Sequence, residues 1–350
     1  MAGRPSSDQG AATTNMPQVD RKSMRSMING FPSMLAQVKV KDVFLSQAQE
    51  AHEKGLRGLC LVGMGGSSIA GEMCRGLLSK ESPLPIFTSR DYSLPLSVDG
   101  KWAVIIVSYS GNTEETLASW GMAKERGCEV FVVTSGGELA KTSDGPRLQL
   151  LPEGLQPRAV LPLIFSVVYP LACKLLGVKT EDLRRISTKL ESLTAEWGSG
   201  IPAPEATAAS LANNIPLFIG SAHIAPVAYR AKCQVNENAK SAAFWSEIPE
   251  ANHNEIESVG TFLQHRIIPV MITSRSYDNR TARRFQVTRE IMAKQGLQPL
   301  TLGLDNSPRL EEMLAMTHYL DTVSLILAEL GGVNPLSVDR IADLKTKMRA

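Results

Sequence analysis

Two loops in this chain carry the residue types that hold an anion. Gly63-Met64-Gly65-Gly66-Ser67-Ser68 follows the apolar run Leu59-Cys60-Leu61-Val62, and Ser108-Tyr109-Ser110-Gly111-Asn112-Thr113-Glu114-Glu115-Thr116 follows Ala103-Val104-Ile105-Ile106-Val107. Where a buried parallel strand ends in small residues ahead of a helix, free backbone N–H groups and the positive end of the helix dipole converge. The hydroxyls of Ser67, Ser108, Ser110 and Thr113 add neutral donors, so the loops suit a phosphate monoester without a metal or a lysine clamp. Gly65 and Gly66 alone would fit any tight strand-to-helix turn, and Ser67 and Ser110 would serve as N-caps. Two such loops in one half of the chain favour the functional reading.

A second set of chemical groups lies further along. Asn236-Glu237-Asn238-Ala239-Lys240 and Pro249-Glu250-Ala251-Asn252-His253-Asn254-Glu255 combine amides, a histidine and carboxylates, which are proton donors and acceptors that a core does not need. The bland alternatives stay open at this point: Glu237 as a solvated helix charge with Lys240 at i+3, and Arg158 as a loop cap. His253 has no second histidine at helical or hairpin spacing, which makes a poor zinc site, so no metal is expected. One half of the chain reads as a phosphate holder and the other as a proton mover.

These loops need a scaffold, and the hydrophobic pattern supplies one. Strands near Leu59–Val62, Pro85–Thr88, Val104–Val107 and Val130–Thr134 alternate with helices over about 68–78 and 114–126. The second half repeats the alternation: strands at Pro216–Ile219, Ile268–Thr273 and Pro299–Leu302, helices over Ile224–Lys240 and Thr281–Gln295. Successive βαβ units imply parallel sheets with helices on both faces. Glu181–Trp197 reads as a connecting helix before the breaker Ile201-Pro202-Ala203-Pro204. The expected organisation is a flexible tail over 1–22, an α/β domain over 23–178 that binds phosphate, a helical linker over 179–204, and a second α/β domain over 205–350 with a C-terminal helix. The uncharged run Ala159–Cys173 is shorter than the roughly 20 residues of a membrane span and carries Pro162 and Pro170. It is expected to form a buried helix packed across the domain or subunit boundary.

With 350 residues the chain exceeds the size at which one core stops growing, which agrees with two domains. Apolar and charged contents of 43% and 21% with a net charge of +2 give no footprint for nucleic acid or another polyanion. Cys60, Cys74, Cys128, Cys173 and Cys233 are scattered singly and read as reduced core thiols of a cytosolic protein. His223, directly after a strand, is assigned a structural role; His52, His265 and His318 are assigned to the surface or its boundary. Arg280, Arg283, Arg284 and Arg289 share one helix, as a solvated or interfacial face.

Taken together and in this order, Gly65-Gly66-Ser67, the Ser108–Thr116 loop, Pro157-Arg158-Ala159, Asn236–Lys240 and Pro249–Glu255 resemble the bifunctional phosphoglucose/phosphomannose isomerases, a branch of the sugar isomerase (SIS) domain superfamily. The resemblance runs from about Met24 to the C-terminus. It implies two SIS domains, each a three-layer α/β/α sandwich, and a cofactor-free interconversion of glucose 6-phosphate or mannose 6-phosphate with fructose 6-phosphate. By motif, Ser67, Ser108, Ser110 and Thr113 would hold the phosphate and Arg158 would sit by the reacting carbons. Glu237 would shuttle the proton between C1 and C2, and His253, contributed by the neighbouring subunit of a homodimer, would help to open the ring. The chemistry is consistent: enediol formation needs a carboxylate base, the enediolate needs a nearby cation, and ring opening needs a group that titrates near neutrality.

Two departures accompany the resemblance. Ser68 stands where the family commonly has a third glycine, crowding the loop while adding a donor. The C-terminal stretch Asn334–Lys345 resembles the family's terminal helix, whose lysine assists ring opening; that role passes to Lys345, with Lys347 a near competitor. The alternatives are a non-catalytic SIS regulator, which Glu237 and His253 argue against, and an isomerase of another sugar phosphate.

Overall fold

The computed structural model describes residues 20, 22–143, 145–305 and 307–348. Most of the expected tail, residues 1–19 and 21, lies outside them.

Three helices, α1 (Met24–Asn29), α2 (Phe31–Gln37) and α3 (Asp42–Glu53), precede the first sheet. Then follow β1 (Gly58–Val62), α4 (Gly66–Leu78), β2 (Ile86–Ser89), β3 (Trp102–Ser108), α5 (Glu114–Glu125), β4 (Glu129–Thr134), α6 (Gly137–Thr142), β5 (Leu148–Leu150) and α7 (Leu161–Leu176). The five strands form one parallel sheet in the order β2-β1-β3-β4-β5. Every residue of β1 and β3 is buried, which is what continuous apolar runs produce when helices cover both faces. The period of two divides them: Leu59, Leu61, Ala103, Ile105 and Val107 face the main core, and Cys60, Val62, Val104 and Ile106 face a smaller cluster on the other side. Fully burying each of the Leu, Ile and Val side chains among them contributes roughly 1.5–3 kcal/mol.

After α8 (Leu183–Ala195) and α9 (Pro204–Leu211) the pattern recurs with β6 (Ile215–Gly220), α10 (Ala225–Gln234), β7 (Phe244–Glu247), β8 (Ile267–Ile272), α11 (Asn279–Lys294), β9 (Leu300–Leu302), α12 (Arg309–Leu330) and α13 (Asp339–Met348). The second sheet is parallel in the order β7-β6-β8-β9, so both sheets reverse strand order at the same topological place, between β1 and β3 and between β6 and β8. Such switch points open a crevice at the carboxyl ends of the strands. The fold is therefore α/β, with two parallel sheets flanked by helices.

Local signals explain the helix ends. Asp182 and Asp278 cap α8 and α11 with their carboxylates, and Glu114 and Glu115 occupy the first turn of α5. Pro162 lies in the first turn of α7, whose C-cap Gly177 is left-handed at φ 67°.

Two expectations are corrected. Helix α7 is buried at 14 of its 16 residues, but its main partners are α2, α3, α4 and the strands β1, β3 and β4, so it is chiefly a core helix of the first sheet and not a boundary helix. His318 is not near the surface: it is 2% exposed on α12, stacked on Phe31 at 5.2 Å and against Trp197 at 5.0 Å. Helix α12, with 18 of its 22 residues buried, packs on α1, α8, α9 and α10 and joins the halves into one continuous core. Among the described residues no helix is long and apolar enough to cross a membrane, and all five cysteines are unpaired.

Candidate functional site

The serine loops meet at the switch point of the first sheet. Gly65 takes φ 52° at the start of α4, and the following turn buries Ser67 and Ser68. Gly66 is required by proximity: a Cβ there would lie 2.9 Å from the Pro157 carbonyl oxygen and 3.4 Å from the Cα of Arg158. The backbone N–H of Tyr109 donates to the Ser67 hydroxyl at 3.4 Å, tying the first loop to the second. Within the second loop the hydroxyls of Ser108 and Thr113 lie 3.0 Å apart, Gly111 N–H donates to Ser108 at 3.2 Å, and Asn112 N–H donates to Ser110 at 3.3 Å. Ser110 is exposed and Ser108 buried, so the loop presents hydroxyls from the sheet edge outward. Ser68 turns away from this set and donates to the Gly65 carbonyl at 2.8 Å.

Arg158 stands between these loops and the second half. It is 4% exposed, its Nε donates to Oδ1 of Asn238 at 2.7 Å, one terminal nitrogen donates to the Pro335 carbonyl, and the other reaches Oε1 of Gln156 at 3.5 Å. Burial pushes its pKa below the usual arginine value, and the Glu237 carboxylate pulls the other way, which registers the proximity of the two side chains. Arginine remains cationic through any such shift.

Glu237 does not lie on a regular helix. The expected helix over Ile224–Lys240 is α10 followed by a widened π-turn, Val235–Ala239, that ends at Lys240 in the left-handed region at φ 55°. Wide turns of this kind re-aim side chains and recur at functional sites. Here the turn buries Asn238 and leaves Glu237 half-buried. Lys240 was not assigned a role, yet its Nζ donates to the Glu237 carbonyl at 2.5 Å, and burial followed by repulsion from Arg158 lowers its pKa. Its place in the Asn236–Lys240 motif was the available signal; the i+3 spacing to Glu237 suggested only a surface pair.

The other two assigned residues are elsewhere. His253 closes a short 3₁₀ turn, Glu250–His253, beyond β7; it is exposed and, among the described residues, its side chain makes no hydrogen bond or ion pair. Lys345 lies on α13, which has no buried residue, and its side chain too has no hydrogen-bond or ionic partner among the described residues, whereas Lys347 pairs with Asp343 at 2.8 Å. The structure thus brings Gly65, Gly66, Ser67, Ser108, Ser110, Thr113, Arg158 and Glu237 to one region of the chain and leaves His253 and Lys345 outside its hydrogen-bond network.

The matching switch point of the second sheet is closed by the protein itself. His223 Nε2 lies 3.0 Å from Oε2 of Glu312, and the Ser274 hydroxyl donates to the same oxygen at 2.5 Å, with His223 and Glu312 only 2% and 1% exposed. A carboxylate fills this corner where the first sheet offers hydroxyls and amides, in keeping with a structural His223. Among the described residues no three His, Cys, Asp or Glu side chains converge as a metal-holding group.

Comparison with known proteins agrees with this arrangement. Residues 203–348 match the family model for the bacterial phospho-glucose isomerase C-terminal SIS domain. The chain is 33% identical over 301 residues to the bifunctional phosphoglucose/phosphomannose isomerase of Aquifex aeolicus, covering 84% of this chain and 91% of that protein. It is 37% identical over 223 residues to the D-glucosamine-6-phosphate 4-epimerase of Sulfolobus acidocaldarius, covering 63% of this chain and 70% of that one. In fold it is similar to the C-terminal domain of the glucosamine-fructose-6-phosphate aminotransferase from Francisella tularensis, with a TM-score of 0.68 at 16% identity over 90% of this chain and 97% of that one. The serine loops, the Arg158–Glu237 corner and the likeness along most of its length make this chain a member of the bifunctional phosphoglucose/phosphomannose isomerase family.

Proposed function

We propose that the chain is an aldose–ketose isomerase that interconverts glucose 6-phosphate and mannose 6-phosphate with fructose 6-phosphate through an enediolate, without a metal or other cofactor. The observation that best supports the reading is a buried arginine beside a half-buried carboxylate, in backbone contact with a hydroxyl-rich anion loop.

In this reading the phosphate lies against Ser67, Ser108, Ser110 and Thr113, where binding energy remote from the reacting carbons sets the orientation of the sugar. His253, from the neighbouring subunit of a homodimer, exchanges protons with O5 and O1 as the ring opens, assisted by Lys345. Glu237 then removes the C2 proton of the open aldose. Charge passes to the carbonyl oxygen at C1, and the Arg158 guanidinium stabilises the resulting enediolate. Glu237 returns the proton to C1, while the C2 hydroxyl passes its proton to the oxygen at C1, so that C2 becomes the ketone and C1 carries the hydroxyl. A flat enediolate can be reprotonated at C2 from either face, which accounts for acceptance of both epimers. A cytoplasmic location suits a soluble phosphosugar and unpaired thiols.

A coupled assay for fructose 6-phosphate formed separately from glucose 6-phosphate and mannose 6-phosphate, with chelator present, tests the reading. Both sugars should react, and Glu237→Gln should lower kcat by about 10²–10⁴-fold while sugar phosphate still binds. Binding without turnover of either sugar would instead indicate the regulator. Conversion of glucosamine 6-phosphate to its C4 epimer would indicate an activity like that of the Sulfolobus relative.

A further inference from the structure

The side chain and the main chain of Arg158 are joined by a closed ring of hydrogen bonds through four other buried residues. Arg158 Nε donates to Oδ1 of Asn238 at 2.7 Å, Nδ2 of Asn238 donates to Oγ of Ser324 at 3.0 Å, and that hydroxyl donates to the Asp321 carbonyl at 2.6 Å. The Asp321 carboxylate accepts from Nε and Nη2 of Arg230 at 2.9 and 2.6 Å, and Nη2 of Arg230 donates to the Arg158 carbonyl at 2.8 Å. Asn238 and Ser324 are 0% exposed, Arg230 and Asp321 2%.

Each member of this ring has one permitted polarity. A guanidinium only donates, so the Asn238 carbonyl must face Arg158 and its NH₂ must face Ser324. Ser324 can accept because its own proton is committed to the Asp321 carbonyl, one turn back on α12. The Arg230–Asp321 pair then anchors α10 to α12 and clamps the peptide that carries Arg158. Of the five guanidinium N–H donors, three are engaged, which leaves one on each terminal nitrogen without a partner among the described residues.

We infer that Asn238 and Ser324 are positioning residues for the reaction: they fix the guanidinium plane of Arg158, and, because Asn238 adjoins Glu237 in the π-turn, they set cation and carboxylate against each other. The inference rests on the isomerase reading of the site. Its physical basis is that a cation lowers the barrier only where its donors already point at the developing charge, and an arginine on an unrestrained side chain would have to be ordered anew in each turnover.

Ser324→Ala is the decisive variant, since Ser324 makes no hydrogen bond to Arg158 or Glu237. Its kcat should fall about ten- to a hundredfold, the cost expected of a small misplacement at the reacting centre. KM for fructose 6-phosphate should stay within about twofold, because the phosphate loops are untouched. Ser324→Thr should restore most of kcat, since a threonine hydroxyl on a helix makes the same bond to the carbonyl three residues back. Asn238→Asp, nearly isosteric, should be slower still: it presents an acceptor to Ser324 and a negative charge to Arg158. Wild-type kcat in Ser324→Ala, or a loss shared by kcat and KM that threonine does not rescue, overturns the inference.

Hydrogen exchange of the Arg158 Nε–H, followed by ¹⁵N NMR, judges the ring without reference to activity. It should be protected in the wild type and exchange at least about tenfold faster in Ser324→Ala or Asn238→Asp, as expected when a buried bond is opened. Equal exchange overturns the positioning role even in an active enzyme. An inactive wild type with a protected Nε–H would remove the isomerase reading while leaving the ring in place.

Discussion

The Gly66 Cα and the Pro157 carbonyl are so close that a side chain between them has no room: a Cβ would sit 2.9 Å from that oxygen. Both sides of this contact are backbone, and one leads directly to Arg158. The proposed phosphate loop and the proposed reaction centre therefore meet backbone to backbone, with no adjustable side chain in between. Gly66→Ala should force the two apart. We expect a stability loss of about 1–3 kcal/mol in urea unfolding and a rise in KM together with a fall in kcat. A variant with raised KM and unchanged kcat would mean that the loop moved and Arg158 did not.

Gly111 presents a more severe case. At φ 69° its Cβ would lie 1.8 Å from the Gly136 carbonyl oxygen, so both conformation and space require glycine. Gly111→Ala should cost on the order of 3 kcal/mol or more, combining left-handed strain with overpacking. Denaturant midpoints would show this; a shift no larger than that of an exposed substitution would mean that the loop rearranges without resistance.

The exposed His253 leads to a test of subunit sharing. If each site takes Glu237 from one subunit and His253 from the other, Glu237→Gln and His253→Ala homodimers are both inactive. Random mixing after mild dissociation makes half the dimers mixed, each with one intact site, so activity should return to about one quarter of wild type. No recovery, with mixed dimers verified by a tag, would place both groups in the same subunit's site.

His318 predicts the acid limit of the fold. Both ring nitrogens are buried without a hydrogen-bond partner among the described residues, and burial lowers the pKa from 6.5 to about 3. Because the folded value is depressed, the unfolded chain takes up a proton first as pH falls below 6.5, and the folded chain does not follow until about pH 3. Stability attributable to this residue is full above pH 6.5 and declines on the order of 1 kcal/mol per pH unit below it. His318→Phe, which keeps the stacking on Phe31, should lose about 2 kcal/mol less than wild type between pH 7 and pH 5. Equal losses would assign acid sensitivity to other groups.

Much of the scaffold was legible because its signals are local. The strands β1, β3, β4, β6 and β8 are apolar runs bounded by loop residues, and their helices carry caps and periodic faces. The short edge strands β5 and β7 were not read, since three or four residues with exposed Leu150, Phe244 and Trp245 have no pattern of their own. Helix α12 was missed for the opposite reason: buried nearly all round, with Glu311, Glu312, His318, Asp321 and Ser324 inside, it has no polar face from which to read a period.

The same division holds at the site. Residue order showed that two serine-bearing loops each follow an apolar strand, and the motif resemblance singled out Arg158, Glu237 and His253, because strand ends, turn residues and motif spacing are properties of adjacent residues. Only the tertiary structure decided that β1 and β3 lie side by side, that α7 packs chiefly within the first half, and that Arg158 is held by Asn238 and Pro335. Those contacts join residues 80 and 177 positions apart, as in Arg158 to Asn238 and Arg158 to Pro335, and they form only when the packing of α12 against α10 brings distant donors and acceptors into a common, water-free interior.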